Sequence, residues 1–267
     1  MIETKELFLS YGSKRILDNI SLEVKDGEFI CLLGQSGCGK STLLRLFSGL
    51  LAPGGGTVSI DGTVVNGPDR NCSVVFQDYS LFPWMTTGAN LMFALKPAYP
   101  ERGRKEIRAL AESYLEMVGL AEAFNNYPDA LSGGMRQRAA IARALAMPSR
   151  VLLMDEPFGA LDPVNRALLQ DLVRNLHTES SGERTVVFVT HDVDEALYLG
   201  TRIVVLGSCP GRVIADEDNR LSRTLGRTAL FRTESMVALQ QKILAVYRRD
   251  MTDKLENKML FRAGAGI

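Results

Sequence analysis

Histidine is nearly absent from this chain, with two in 267 residues, and there is a single tryptophan. Cysteine is scarce as well, and Cys31, Cys38, Cys72 and Cys209 form no C-x-x-C pair. So few histidines and no paired cysteines argue against a zinc site. Free thiols in a reducing compartment are the simplest reading. Net charge is also missing, because 31 Lys and Arg balance 31 Asp and Glu. No global pull toward nucleic acid or an anionic membrane follows from such a balance. Runs rich in Lys and Arg, such as Glu101–Arg108, also carry acids and read as solvated helix face. No run of about 18 apolar residues occurs, so no membrane-spanning helix is expected. The opening MIETKELFLS has no basic start leading into an apolar core, so no signal peptide is expected. Internal repeats and low-complexity segments are absent too.

What remains is an ordinary globular composition, 46% hydrophobic and 23% charged. The length suits one large domain, or a domain with a subdomain and a tail. Apolar stretches at Lys5–Ser10 and Phe29–Leu33 read as strands on either side of the turn-rich YGSKRILDN. A glycine-rich loop and the apolar helix Ser41–Gly49 follow. TVSIDGTVV and NCSVVFQ are further strand-like stretches beside DG and NGPD turns, and suggest an antiparallel set. From Thr87 to Met147 the period becomes helical, with helices predicted at Arg104–Val118 and Arg136–Ala146. Strands and helices then alternate: VLLMDE, the helix Pro163–Leu176, TVVFVTH, the helix Val193–Leu199 and RIVVLG. That alternation argues for a parallel sheet covered by helices. The segment from Leu221 is polar until Glu234–Arg249, where Met236, Leu239, Ile243 and Val246 take helical spacing.

Chemistry concentrates at the ends of these strands. GQSGCGKST comprises Gly34, Gln35, Ser36, Gly37, Cys38, Gly39, Lys40, Ser41 and Thr42, and matches G-x-x-x-x-G-K-[ST] between a strand and a helix. Glycines let backbone N–H groups turn inward around phosphate oxygens, and the helix start adds its positive dipole end. In such a loop Lys40 reaches the outer phosphates and Ser41 offers a hydroxyl to Mg²⁺. Asp155 and Glu156 emerge at the end of VLLMDE. There Asp155 suits a Mg²⁺ contact and Glu156 suits polarising a water, although the pair alone equally fits a solvated turn or helix cap. His191 ends TVVFVTH, where it can bond a γ-phosphate or fix the attacking water, although a lone histidine is more often structural. His177 reads as a structural residue on a helix surface. Gln77 follows SVVF, where an amide suits Mg²⁺ or water, or is simply a surface glutamine. Ser132, Gly133 and Gly134 form a second anion-holding helix start.

In this combination and order the chain resembles the nucleotide-binding subunit of ABC transporters over about residues 1–215. LSGGM matches the family signature, Gln77 the Q-loop, Ala160–Asp162 the D-loop and VTHD the switch histidine, while Tyr11 falls where the family stacks an aromatic on adenine. FQDYSLFPWMTTGAN, with its Pro83-Trp84 pair, and PGRV resemble subunits of nitrate, sulfonate and taurine importers. Met135 stands where the signature usually has Gln, and a Met cannot close a capping box. Cys38 in the loop adds an expectation of sensitivity to thiol reagents.

The resemblance implies a P-loop NTPase (RecA-like) α/β core with an antiparallel β subdomain and an inserted helical subdomain at about 87–147. The ATPase domain would span 1–220, followed by a mainly helical tail at 221–267. ATP and Mg²⁺ are the implied cofactors. ATP would lie between the Gly34–Thr42 loop of one chain and Ser132, Gly133, Gly134 and Asp162 of a second copy. Ser41, Gln77 and Asp155 would hold Mg²⁺, Glu156 would activate water, and His191 would sense the γ-phosphate. The implied partners are a second copy, a membrane permease docking near Gln77–Met85 and, indirectly, a solute-binding protein. No nucleic acid is expected, and the place is the cytoplasmic face of the membrane, peripherally. The implied work is uptake of a small anionic solute (nitrate-, sulfonate- or taurine-like), whose identity the permease and binding protein select. The alternative is a soluble ATPase of the same superfamily acting on nucleic acid or ribosomes. Against it stand a single cassette and the lack of sustained heptads between the phosphate loop and the signature.

Overall fold

The computed structural model describes residues 1–179 and 183–264, with side chains to residue 254. The chain forms two compact units, Met1–Gly67 with Val187–Ile267, and Pro68–Val186. The first unit opens with β1 (Ile2–Tyr11) and β2 (Lys14–Val24), an antiparallel pair that sets Ile2 opposite Val24 and Tyr11 opposite Lys14. YGSKRILDN is therefore mostly strand rather than turn. Its period is obscured because the pairing shifts register between Thr4 and Ser10, and Glu6 and Asn19 take φ of 47° and 52°. Each bulge of this kind moves following side chains to the other face, so the two-residue alternation breaks. Leu7, Leu17, Ile20 and Val24 are nonetheless wholly buried.

β3 (Phe29–Gly34) is buried along its whole length, and α1 (Lys40–Phe47) follows the glycine-rich loop. β4 (Gly55–Ile60) pairs antiparallel with β1, and β5 (Thr63–Val64) pairs with β4 across the Asp61–Gly62 turn. These four strands make a sheet of order β2-β1-β4-β5.

In the second unit β6 (Cys72–Val75) does not join that antiparallel set. It pairs in parallel with β7 (Val151–Asp155), with Val75 opposite Met154. Between them lie α2 (Thr87–Ala98), α3 (Arg104–Met117) and α4 (Gly133–Ala146). α3 buries Ile107, Ala111 and Leu115, the stripe that its spacing requires. Asn90 on α2 is wholly buried and organises the preceding loop. Its Oδ1 accepts from the Phe82 N–H at 2.7 Å, and its Nδ2 donates to the carbonyls of Phe82, Met85 and Thr86 at 3.1, 3.2 and 3.1 Å. α5 (Pro163–Glu179) carries His177, which is only 6% exposed. The surface position expected for that histidine is thus corrected: it lies on the inward stripe with Leu169 and Val173.

The chain re-enters the first unit along β8 (Thr185–Thr190), then forms α6 (Val193–Leu199), β9 (Arg202–Leu206), β10 (Val213–Asp218), the single-turn α7 (Arg227–Leu230) and α8 (Glu234–Gly264). There the strands run β10-β9-β3-β8. β3 and β9 are parallel, with Gly34 opposite Leu206, while β10 is an antiparallel strand on β9. α8 packs on α6 and β10, and buries Met236 and Ile243 completely. Gln240 donates to Asp194 and Lys242 to Glu217, which fixes the register of α8 on that surface. No helix among the described residues is long and apolar enough to cross a membrane.

Four hydrogen bonds to one buried amide make a specific expectation. Asn90→Ala should lower the unfolding free energy by about 1–3 kcal/mol, because it strands buried backbone groups. Denaturant unfolding measures this, and a change under about 0.5 kcal/mol, the range of surface substitutions, would contradict it.

Candidate nucleotide site

The glycine-rich loop is shaped by backbone conformations that side chains resist. Gly37 and Gly39 take φ of 81° and 104°, and Gly39 is the residue before the first turn of α1. A Cβ on Gly39 would lie 2.6 Å from Leu17 Cδ2, whereas one on Gly37 would meet nothing within 4 Å. The loop is therefore braced on its inner side and open over Ser36 and Gly37, which are exposed. Lys40 is only 4% exposed and donates from Nζ to the carbonyls of Gly34 at 2.7 Å and Gln35 at 3.1 Å. Two left-handed glycines, a helix N-terminus and a lysine folded along the loop form a cradle that fits a polyphosphate. Ser41 and Thr42, on the first turn of α1, are half-buried. Tyr11 stands 52% exposed at the end of β1, and His191 is exposed directly after β8, the neighbour of β3.

Cys38 does not behave as its place in the loop suggests. It is 2% exposed, and burial raises its thiol above the ordinary value despite the opposing Lys40 charge. The expected reagent sensitivity is corrected accordingly, since the reactive form is the thiolate and burial disfavours it.

In the second unit one helix gathers the other predicted residues. Ser132 caps α4, its Oγ accepting from the Met135 N–H at 3.3 Å, so the bond needs only the backbone of Met135. Ser132 is exposed, with Gly133 and Gly134 half-exposed behind it. One turn further on, the buried Gln137 donates from Nε2 to the Glu156 carbonyl at 3.3 Å. Its Oε1 accepts from the Ala160 N–H at 3.0 Å. A Cβ on Gly134 would sit 3.3 Å from Leu161 Cδ2 and 3.4 Å from the Ala160 carbonyl oxygen, so the helix start packs tightly against the 160–162 segment. At the far end of α4, Arg143 donates to the carbonyls of Ser80 at 2.7 Å and Tyr79 at 3.4 Å. Arg136 lies over the Tyr79 ring at 5.9 Å. α4 thus joins the signature, the turn holding exposed Gln77, and the residues after β7.

Gln77 and the Asp155-Glu156 pair leave the same end of the β6–β7 pair, as the pairing of Val75 with Met154 dictates. Asp155 is 5% exposed. Glu156 takes φ of 47°, and Tyr79 and Ser80 take 66° and 46°. A left-handed conformation costs a non-glycine residue roughly 1–2 kcal/mol, and such strain concentrates at functional positions. Asp162 is exposed and caps α5, accepting from the Val164 and Asn165 N–H groups at 3.1 and 3.0 Å. The Asn165 side chain and these amides hold its carboxyl below the ordinary range.

Beyond the helix, Phe82, Trp84 and Phe93 form an aromatic cluster with ring centroids 5.2–5.4 Å apart. Trp84 is 69% and Phe93 54% exposed. Sequence reasoning passed over Gln137, Arg143 and Asn90, since a glutamine or arginine on a helix carries no local mark of its distant backbone partners.

The ABC transporter family profile matches residues 17–159. This chain belongs to the ABC transporter family. It is 46% identical over 200 residues to the nitrate import ATP-binding protein NrtD of Synechococcus elongatus, a match covering 75% of this chain and 72% of that protein. It is 43% identical to the bicarbonate transport ATP-binding protein CmpD of Synechocystis, covering 74% and 70% respectively. Among solved structures, a dimeric post-hydrolysis ATP-binding cassette bound to ADP and Pi superposes with a TM-score of 0.75 at 34% identity. That match covers 82% of this chain and 99% of the cassette. The chain is therefore an ABC-type ATPase with a P-loop NTPase fold.

With Cys38 buried and its thiol raised by burial, this ATPase should resist alkylation there. At pH 8, iodoacetamide should label Cys38 at least about tenfold more slowly than the part-exposed Cys209. Peptide mass spectrometry reads the ratio, and equal labelling would contradict the burial argument.

Proposed function

We propose that this ATPase powers uptake of a small anionic solute through a separate membrane permease, working as a head-to-tail dimer at the cytoplasmic membrane face. The observation that carries the reading is the joining of Ser132–Gly134 to Glu156 and Ala160 through Gln137 on α4. An anion held at the α4 N-terminus gains from the helix dipole and from N–H groups that have no helical partner. α4 links that contact to the backbone of Glu156. A chain that has its own phosphate loop has no need of this second cradle for the same phosphates, so the second cradle serves the partner's ATP.

In this reading Lys40 and the Gly34–Thr42 amides bind the phosphates, and Tyr11 stacks on the adenine. Ser41, Gln77 and Asp155 are oxygen donors of the kind a hard cation takes, and so fit Mg²⁺, which supplies charge neutralisation when bound. Glu156 accepts the proton of the attacking water, and its strained backbone fixes where that carboxylate points. His191 bonds the γ-phosphate, and Asp162 completes the facing surface. Binding closes the dimer and hydrolysis reopens it.

The exposed Phe82, Trp84 and Phe93 cluster supports a dock for a short permease helix, as aromatic rings concentrate binding energy at such surfaces. Relatives named for nitrate import and bicarbonate transport support a small anion as the solute.

Glu156→Gln should leave ATP binding intact, lower kcat by at least about 100-fold, and accumulate as an ATP-bound dimer. Turnover assays and light scattering check this. A monomer with wild-type turnover would contradict the role of Glu156. Co-purification with an integral membrane permease tests the transport reading, and turnover stimulated by nucleic acid would contradict it.

A further inference from the structure

The long helix α8 reaches the phosphate loop through a short chain of polar and backbone contacts. Asp250 accepts the Ser208 N–H on both carboxylate oxygens at 3.0 Å, and the Ser208 hydroxyl on Oδ2 at 2.6 Å. Ser208 lies in the 207–212 loop between β9 and β10, whose base closes by a Gly207 N–H to Arg212 carbonyl bond of 2.9 Å. At the other side of this loop Gly211 donates to the Ile16 carbonyl at 2.7 Å and accepts from the Asp18 N–H at 3.0 Å. A Cβ on Gly211 would lie 2.2 Å from the Cys38 carbonyl oxygen and 3.2 Å from Leu17 Cδ2. Leu17 is the side chain that braces Gly39. The 207–212 loop and Leu17 therefore form the floor beneath Cys38 and Gly39, and Asp250 holds that floor from the other side. The Asp250 charge is also felt at Cys38, where it adds a minor upward push to the dominant effect of burial.

We propose that Asp250 is a positioning residue for ATP binding: by clasping Ser208 it fixes the 207–212 loop against Cys38, so docking of α8 and phosphate binding strengthen one another. The inference rests on the reading that Gly34–Thr42 holds the ATP phosphates. Asp250 touches no phosphate-loop atom by hydrogen bond, so its influence passes through Ser208 and Gly211. Two sites coupled in this way must respond to each other equally, since linkage is reciprocal. A contact that only stabilised the fold would raise no affinity for ATP and would not itself respond to ATP.

The test uses the full chain, ATP with Mg²⁺ as the probe, and Asp250→Ala, Ser208→Ala and the double variant. Asp250→Ala should raise the ATP Kd about 5–10-fold and Ser208→Ala, which loses the hydroxyl bond but keeps its N–H on Asp250, about 2–5-fold, with kcat at saturating ATP within about twofold of wild type. The double variant should be no weaker than Asp250→Ala alone, because that substitution already removes every bond of the clasp. In the wild-type chain, ATP should slow hydrogen exchange at the Ser208 amide. Single-variant Kd values within twofold of wild type, or a Ser208 amide indifferent to ATP, would overturn the proposal. Should Asp250→Ala fail to fold, Ser208→Ala and the wild-type exchange measurement decide it. Lys40→Ala separates the two readings. Normal ATP binding by Lys40→Ala defeats the phosphate-loop reading itself, whereas its loss alongside normal binding by the clasp variants defeats the clasp alone.

Discussion

An ammonium buried at a helix start has to be surrounded by oxygen, since removing such a charge from water costs several kcal/mol. Lys40 meets that demand with the carbonyls of Gly34 and Gln35, and the first unit is arranged so that those carbonyls stay where they are. Gly34 is the last residue of a wholly buried strand, held opposite Leu206 of β9. Gly39 can take its left-handed turn because it lacks a side chain, and Leu17 fills the space beneath it. Gly211 lets a second loop reach the Cys38 carbonyl from below. The same packing buries the Cys38 thiol and raises it above its ordinary value, which disfavours the reactive thiolate.

The second unit solves a related problem with a different device. A helix N-terminus carries unsatisfied N–H groups, and α4 leaves Ser132 exposed and two glycines half-exposed there. Its first turns then lock, through Gln137, onto the backbone of Glu156 and Ala160, and its end locks through Arg143 onto the strained turn at Tyr79 and Ser80. Three separate segments are thereby tied to one helix. Left-handed backbone at Glu156 costs energy that these contacts offset, which is the usual condition for strain to persist in a folded protein.

How far this was legible in the sequence depended on the range of the interaction. The phosphate loop and the Ser132 cap could be read directly, because glycine freedom and capping act within a few residues. The stripe of α3 and the buried β3 and β8 could be read from periodicity. β2 could not, because bulges near Glu6 and Asn19 break the alternation. β10 could not, because its second half is Asp216, Glu217 and Asp218 and it lies at a sheet edge. The parallel direction of β6 depends on β7, where Val151 pairs with Cys72 from about eighty residues away, and so has no local signal. The inward face of His177, the reach of Gln137 and the Asp250–Ser208 clasp are likewise long-range facts about a folded chain.

The central claim is that the two phosphate cradles of one chain serve two different ATP molecules in a dimer. Mixing two inactive variants tests it most directly. Lys40→Ala removes the phosphate-loop lysine, and Ser132→Arg blocks the signature cradle, so each variant alone forms dimers with no intact site. A mixed dimer concentrates both defects in one shared site and leaves the other whole. An equimolar mixture should regain hydrolysis up to about a quarter of the wild-type rate, since half the dimers are mixed and each has one good site. A mixture as inactive as its two components would show that both cradles act on the same chain's ATP.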